Sequence, residues 1–199
     1  MTSGAPDPAS GAETLLVLRA QDGDAAAYGD LVTMHQAAAF RVAYLLLASA
    51  ADAEDAAQEG FVKAYLALGR FRAGEPFRPW LLQVVGNEAR NRRRARWRRE
   101  GVVARAFEAI LGPGAPAAAS SETLVLAGET RAEVRAALLR LGEEERLVVT
   151  CRYLLDLSEA ETAAALGIPV GTVKSRLHRG LRRLRADLDR AARATEATR

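Results

Sequence analysis

The sequence predicts an all-α protein of two small helical domains joined by a flexible linker. Three observations predict it. Apolar residues recur at helical spacing along two stretches with no alternating, strand-like run, clusters of cap and turn residues cut each stretch into helix-length pieces, and a Gly/Ala/Pro/Ser-rich interval separates the two. With 199 residues, 49% hydrophobic and 27% charged, the chain can bury one modest core or two small ones.

Residues 1–12, rich in Gly, Pro, Ala and Ser, read as a loose tail. The first domain, 14–100, opens with a short helical segment through Leu15, Leu16 and Leu18. Helices over Ala25–Leu47, Ala53–Leu68 and Phe77–Arg99 follow. The breaks fall at Gln21–Asp24, Ser49–Asp52 and Arg72–Pro76, where cap and turn residues gather. Residues 101–129 form the linker, plainest between Leu111 and Ser121, which carry no charge and no helical stripe. About 20 such residues reach roughly 65 Å when extended, more than one turn of DNA at ~34 Å. The second domain, 130–191, returns to helix over Ala132–Leu141, closed by Gly142, then over Glu143–Leu155, from Ser158, and from Gly171 to Ala191. Ser158-Glu-Ala-Glu161 matches a capping box, in which the serine hydroxyl takes the N3 amide and the glutamate reaches back to the serine amide.

Composition narrows the chemistry. One cysteine (Cys151) and two histidines (His35, His178) leave no disulfide framework, no Cys/His zinc cluster and little scope for a Cys-His nucleophile pair, and they fit a reduced cytoplasm. The start lacks a basic segment followed by an apolar one, and the longest apolar stretch, Val42–Ala51, falls short of the ~20 residues that span a bilayer. Secretion and a membrane span are therefore not expected. The net charge of +3 hides a strong asymmetry: residues 1–60 sum to −7, 61–105 to +9, 106–130 to −3 and 131–199 to +4. An acidic surface for a basic partner and a basic surface for a polyanion are expected.

The segment from Leu157 to Leu184 is a short capped helix, a tight turn at Gly167 and a long basic helix, the helix-turn-helix pattern. At 100° per residue, Val173, Leu177, Leu181, Leu184 and Leu188 share one side. Thr172, Ser175, Arg179 and Arg182 centre on the other, with Lys174 and His178 at its margin. Such a face enters a major groove, where arginine or lysine bonds guanine edges and serine or threonine meets bases or phosphates. Arg176 and Arg183 point sideways and suit phosphates. The plainer alternative is a solvated surface helix.

A second basic face lies on Phe77–Arg99. Leu81, Val84 and Val85 define its buried stripe, while Trp80, Gln83, Asn87, Arg90 and Arg94 recur on the far side. Aromatic, amide and guanidinium groups together suit unpaired DNA, with a ring to stack a base, an amide to bond a base edge and arginines to hold the backbone. Alternatively Trp80 packs against the preceding helix, and the arginine run is a helix end favoured by the dipole. Asp52, Asp55 and Glu59 share a face of the acidic segment Asp52–Glu59, which docks a basic partner or merely stabilises a first helical turn. Reading them as metal ligands of an enzyme is disfavoured, because no histidine, phosphate-cradling loop or nucleophile accompanies them.

In this order the segments Asp52-Ala-Glu-Asp-Ala-Ala-Gln-Glu-Gly-Phe61, Phe77-Arg-Pro-Trp-Leu-Leu-Gln-Val-Val-Gly-Asn-Glu-Ala-Arg-Asn91 and Gly171-Thr-Val-Lys-Ser-Arg-Leu177 resemble the sigma-70 family of bacterial RNA polymerase specificity subunits, in its compact extracytoplasmic function (ECF) type. The resemblance covers roughly residues 14–100 and 130–190. It implies a non-enzymatic transcription initiation factor with no cofactor. Asp52, Glu54, Asp55, Gln58 and Glu59 would bind the clamp helices of the largest subunit of core RNA polymerase, and the second domain would meet the beta flap. The loop Phe71–Phe77 with Trp80, Gln83, Asn87, Arg90 and Arg94 would capture the minus-ten strand of promoter DNA. Thr172, Lys174, Ser175, Arg176, His178, Arg179 and Arg182 would read the minus-thirty-five duplex. An anti-sigma factor is a further expected partner. Gly60, Gly142, Thr162 and Val170 depart from the family's usual text.

Overall fold

The computed structural model describes residues 8–96 and 132–197, and all regular structure among them is helical. The expected linker, 101–129, and the arginines beyond residue 96 lie outside the described residues. Helix α1 spans Pro8–Gln21, so it opens earlier than the expected tail allowed. Proline suits a first helical turn, where its missing N–H costs nothing. Val17 and Ala20 are buried, and the Gln21 amide donates to the carbonyls of Leu68 (2.8 Å) and Phe71 (2.7 Å), tying down the start of the loop before α4.

Helix α2, Ala25–Leu47, is capped by Asp24, whose carboxylate accepts from the N–H groups of Ala26 and Ala27 and is gripped by Arg19 at 2.6 Å. Helix α3, Ala50–Ala67, starts at the Ser49 cap, three residues before the Ala53 start read from periodicity. Its inward face is nearly all small: Ala53, Ala56, Ala57, Gly60 and Ala64. Gly60 has a packing reason. A Cβ there would lie 2.6 Å from Val85 Cγ2, so its absence lets α3 close on α4. Helix α4, Phe77–Arg96, buries Phe77, Leu81, Leu82, Val85 and Ala89. The residue after Leu81 in the buried stripe is Leu82 rather than Val84, which stays half-buried.

The second group comprises α5 (residues 132–140), α6 (Glu143–Tyr153), α7 (Glu159–Leu166) and α8 (Val170–Ala197). The capping box forms: the Ser158 hydroxyl accepts from the Glu161 N–H (3.2 Å) and the Glu161 carboxylate from the Ser158 N–H (2.7 Å). Gly167 takes the left-handed conformation (φ 66°) that turns α7 into α8. The backbone carbonyl of Pro169 accepts from Thr172 and Val173, starting α8 without a side-chain cap. The two helical groups are not separate beads. Helix α7 lies along α4, and one apolar cluster runs from Leu81, Leu82 and Val85 to Cys151, Leu155, Leu157 and Ala165.

Candidate polymerase and nucleic-acid surfaces

Three surfaces carry the predicted site residues. On the first, the N-terminal half of α3 presents Glu54, Asp55 and Gln58 to solvent, with Asp52 and Glu59 half-buried. Asp55 lies 3.5 Å from Arg92 of α4, and Glu59 lies 3.5 Å from Lys63. Glu54 and Gln58 rim a hollow of about 450 Å³ between α2 and α3, floored by Val32, Phe40 and Phe61. Phe61 also borders a second hollow, with Tyr28, Val62, Tyr65 and Leu66, so a long apolar seam adjoins the acids. Val62, Tyr65 and Leu66 are 53%, 46% and 77% exposed, too much apolar surface for an idle helix face. Tyr28 stiffens the seam by donating its hydroxyl to the Phe61 carbonyl (2.6 Å), and burial pushes its phenol up to about 12. Sequence reasoning missed this seam. Its signal was present in Phe61, Val62, Tyr65 and Leu66, a second helical stripe beside the alanine face.

Beneath the acids, Glu88 of α4 accepts from Lys63 (2.5 Å) and Arg92 (2.9 Å). Lys63, and after it Arg92, hold the Glu88 carboxyl below its ordinary range despite its burial. This network spaces α3 from α4. It also spends Arg92 on structure.

The second surface is the outer side of α4 with the loop before it. Trp80 is half-buried in an aromatic group: its ring centroid lies 4.8 Å from Phe71 and 5.5 Å from Phe77, and Phe71 meets Phe77 edge-on at 5.7 Å. One side of Trp80 still borders a hollow of about 520 Å³ lined by Phe71, Arg72, Pro79 and Gln83, with Ala160 and Ala164 of α7 as its far wall. Gln83, Asn87 and Arg94 are exposed. Arg90 is half-buried: it donates to Asn87 Oδ1 (2.5 Å) and to the Ala165 carbonyl of α7, and burial, then Arg94 and Arg93, lower its pKa. Four of the five predicted residues thus share an open face, and Arg90 turns towards α7.

The third surface is the solvent side of α8. Lys174, Ser175, His178, Arg179 and Arg182 are exposed and Thr172 half-buried. Ser175 donates its hydroxyl to the Thr172 carbonyl, and Lys174 lies 3.6 Å from Glu159. Arg176 is drawn inward to Glu144 at 2.6 Å, with only 19% of its side chain exposed. Glu145 of α6, itself buried, aligns Arg183 (2.6 Å) and Arg179 (3.5 Å). Nothing in the spacing of Glu143, Glu144 and Glu145 marked the last as the carboxylate that orients two arginines of another helix.

Family models decide which class of protein carries this arrangement. Sigma-70 region 2 matches residues 31–99, and Sigma-70, region 4 matches residues 131–184. The chain is a member of the sigma-70 family, of the ECF type. It is 37% identical over 168 residues to the RNA polymerase sigma-H factor of Pseudomonas aeruginosa, covering 82% of this chain and 87% of that protein. It is 36% identical over 175 residues to the ECF RNA polymerase sigma-E factor of Escherichia coli K12, covering 84% and 89%. Among solved structures it resembles CnrH, determined in complex with the cytosolic domain of CnrY, with a TM-score of 0.59 and 27% identity over 89% of this chain and 97% of that one. It shares the fold of the sigma factor RpoE of Bartonella quintana, determined with the anti-sigma factor NepR, with a TM-score of 0.54 and 23% identity over 81% and 96%. In this sigma factor the region 2 match takes in α3 and α4, hence the acidic, apolar and basic faces of the first group. The region 4 match takes in α6, α7 and the first half of α8. No described helix is long and apolar enough to cross a membrane.

Proposed function

We propose that this sigma factor joins core RNA polymerase through α3 and the α2–α3 seam, captures the minus-ten strand on α4, and reads the minus-thirty-five duplex with α8. The single observation that carries this reading is the placement of an acidic, apolar-edged helix back to back with a basic, aromatic-edged one. A basic rod on the polymerase finds complementary charge at Asp52, Glu54, Asp55 and Glu59, an amide to hydrogen-bond at Gln58, and apolar contact at Phe61, Val62 and Tyr65. A strand passing over α4 then meets the Trp80 ring, the amides of Gln83 and Asn87, and the guanidinium of Arg94. Stacking is worth roughly 1–3 kcal/mol per base, so binding energy melts the duplex without any catalytic step. Lys174, Ser175, His178, Arg179 and Arg182 face outward along the first half of α8, whose N-terminal residues are those that reach base edges in a recognition helix, while Thr172 sits beside them. Arg176, turned to Glu144, serves the phosphate backbone only if that pair opens. The domains of this reading are 14–100 and 130–191, joined by 101–129, and an anti-sigma factor holds the protein in check.

Run-off transcription with purified core enzyme on a genomic promoter library tests the reading. Promoter-dependent transcripts are expected from the wild type, loss of core association from Asp55→Arg, and normal core association with impaired strand opening from Asn87→Ala. A wild-type protein that binds promoter duplex but ignores core polymerase would overturn it.

A further inference from the structure

Arg179 and Arg183 stand one turn apart on α8, and both meet Glu145 of α6. Between them in sequence lies Gly180. A Cβ there would come 3.0 Å from Val149 Cγ2 and 3.4 Å from Glu145 Cβ, so the missing side chain lets α8 close on α6 at this level. The approach seats a carboxylate whose side chain is only 9% exposed against both guanidinium groups. They are held unequally. Arg183 Nη1 donates to Glu145 Oε2 at 2.6 Å, whereas Arg179 Nε lies 3.5 Å from Oε1. A carboxylate withdrawn from water demands a cation, and Arg183, the arginine expected to hold a phosphate, is the one that satisfies it. An ion pair through Nε occupies the side of the Arg179 fork and not its end, where two Nη groups can bond guanine O6 and N7 together.

We infer that Glu145 and Arg183 form a buttress that sets the base preference of Arg179, so that Arg183 governs sequence reading at a base pair it does not touch. The inference rests on the proposed reading of α8 as the minus-thirty-five helix and names the positioning pair of that same site. Arg183 neutralises the carboxylate, and the longer, weaker contact then aims Arg179 without capturing it. A long, flexible side chain tethered at Nε has fewer directions left to lose when DNA arrives. Removing Arg183 leaves the carboxylate to Arg179, which is drawn into the short contact and away from the groove. Removing the charge of Glu145 instead lets Arg179 wander. These two losses have different causes. Once Arg183 is gone, taking away the Glu145 charge releases Arg179 and restores reading.

The test is transcription by holoenzyme assembled from core polymerase and the full-length chain, on a promoter from the run-off library and on copies with single base-pair substitutions in its upstream element. The readout is discrimination, the ratio of transcript from the parent promoter to that from each copy. A general loss of folding or of DNA affinity does not move this ratio at one position alone. Arg179→Ala identifies the base pair that Arg179 reads, as the position where discrimination disappears. Arg183→Ala is expected to lower discrimination several-fold at that position and at no other, and Glu145→Gln to lower it by a smaller factor. Adding Glu145→Gln to Arg183→Ala should raise discrimination again, a reversal of sign that a merely structural role does not produce. Arg183→Gln, which keeps an amide donor but no charge, repeats the comparison should Arg183→Ala fail to fold. Undiminished discrimination without Arg183, a further fall in the double variant, or an Arg179→Ala protein that still discriminates at every position would overturn the buttress and leave the promoter reading standing. A wild type that makes no promoter-dependent transcript would remove that reading, and the buttress with it.

Discussion

Gly60 is a point of close approach between the acidic helix and the basic one, and its replacement gives a worked test of how the two are spaced. In Gly60→Ala the new Cβ would sit 2.6 Å from Val85 Cγ2 and 3.2 Å from Val85 Cα, inside the 3.5–4.0 Å of ordinary carbon contact. Overpacking a filled core by one methyl costs about 1–3 kcal/mol, and alanine's helix propensity returns about 1 kcal/mol. Because the Val85 Cα belongs to the main chain and cannot rotate aside, the loss falls in the upper part of the range. A net destabilisation of about 1–2 kcal/mol is expected. Val85→Ala alone removes buried methyls and costs a similar amount, roughly 0.8 kcal/mol per group plus a cavity contribution. In the double variant the methyl added at position 60 enters the space that Val85 Cγ2 vacates. The Cα and Cβ contacts at position 85 persist and only the Cγ2 clash is relieved, so the two losses should fall short of adding by about 1 kcal/mol in a double-mutant cycle. Urea unfolding followed by circular dichroism measures all four corners. Additivity within about 0.5 kcal/mol would refute the assignment of Gly60 as the spacer.

Acid should weaken the same interface. Lys63 and Arg92 hold Glu88 below its ordinary 4.5, so the stabilisation is complete above that value and drains away as the pH falls through the lower folded value. The wild type should lose more stability than Glu88→Gln between neutral and acid pH in parallel urea titrations, and equal slopes would remove Glu88 from the network. Ser158→Ala breaks half of the capping box and should cost about 1 kcal/mol, seen as faster amide exchange across α7, while Ser158→Asp should keep most of the protection. Arg179→Ala should weaken binding to the upstream duplex by ~1–3 kcal/mol if its contact is bidentate. A mobility-shift titration against matched and scrambled duplexes reads this, and equal weakening on both would assign Arg179 to the phosphates.

Helix after helix was legible because each is announced locally. Asp24, Ser49 and Ser158 cap the helices they precede, Gly167 turns α7 into α8, and Val173, Leu177 and Leu184 mark the inward side of α8. Several site residues were legible for the same reason, since a helix with one apolar side declares its opposite face. Glu54, Asp55, Gln83, Asn87, Lys174 and Arg182 all emerge on solvent. Arg90 and Arg176 were not legible in this way. Their spacing places them near the exposed arc, yet one donates to the Ala165 carbonyl and the other pairs with Glu144, choices made by helices 75 and 32 residues away in sequence. The apolar seam at Val62, Tyr65 and Leu66 was obscured because a second apolar stripe on a helix looks like more core until the helices around it are placed.

By itself the sequence determined the helices, their order, the opposite charges of α3 and α4 and the helix-turn-helix of the second group, because periodicity, capping and charge are properties of neighbours along the chain. Only the tertiary structure decided that α7 rests on Gly86, that Glu145 aligns two arginines, and that Lys63, Arg92 and Glu88 space the acidic helix from the basic one. These are contacts between residues far apart in sequence. Which of them form is settled by how whole helices stack, and a glycine or a glutamate reads the same in sequence whether it meets solvent or a distant backbone.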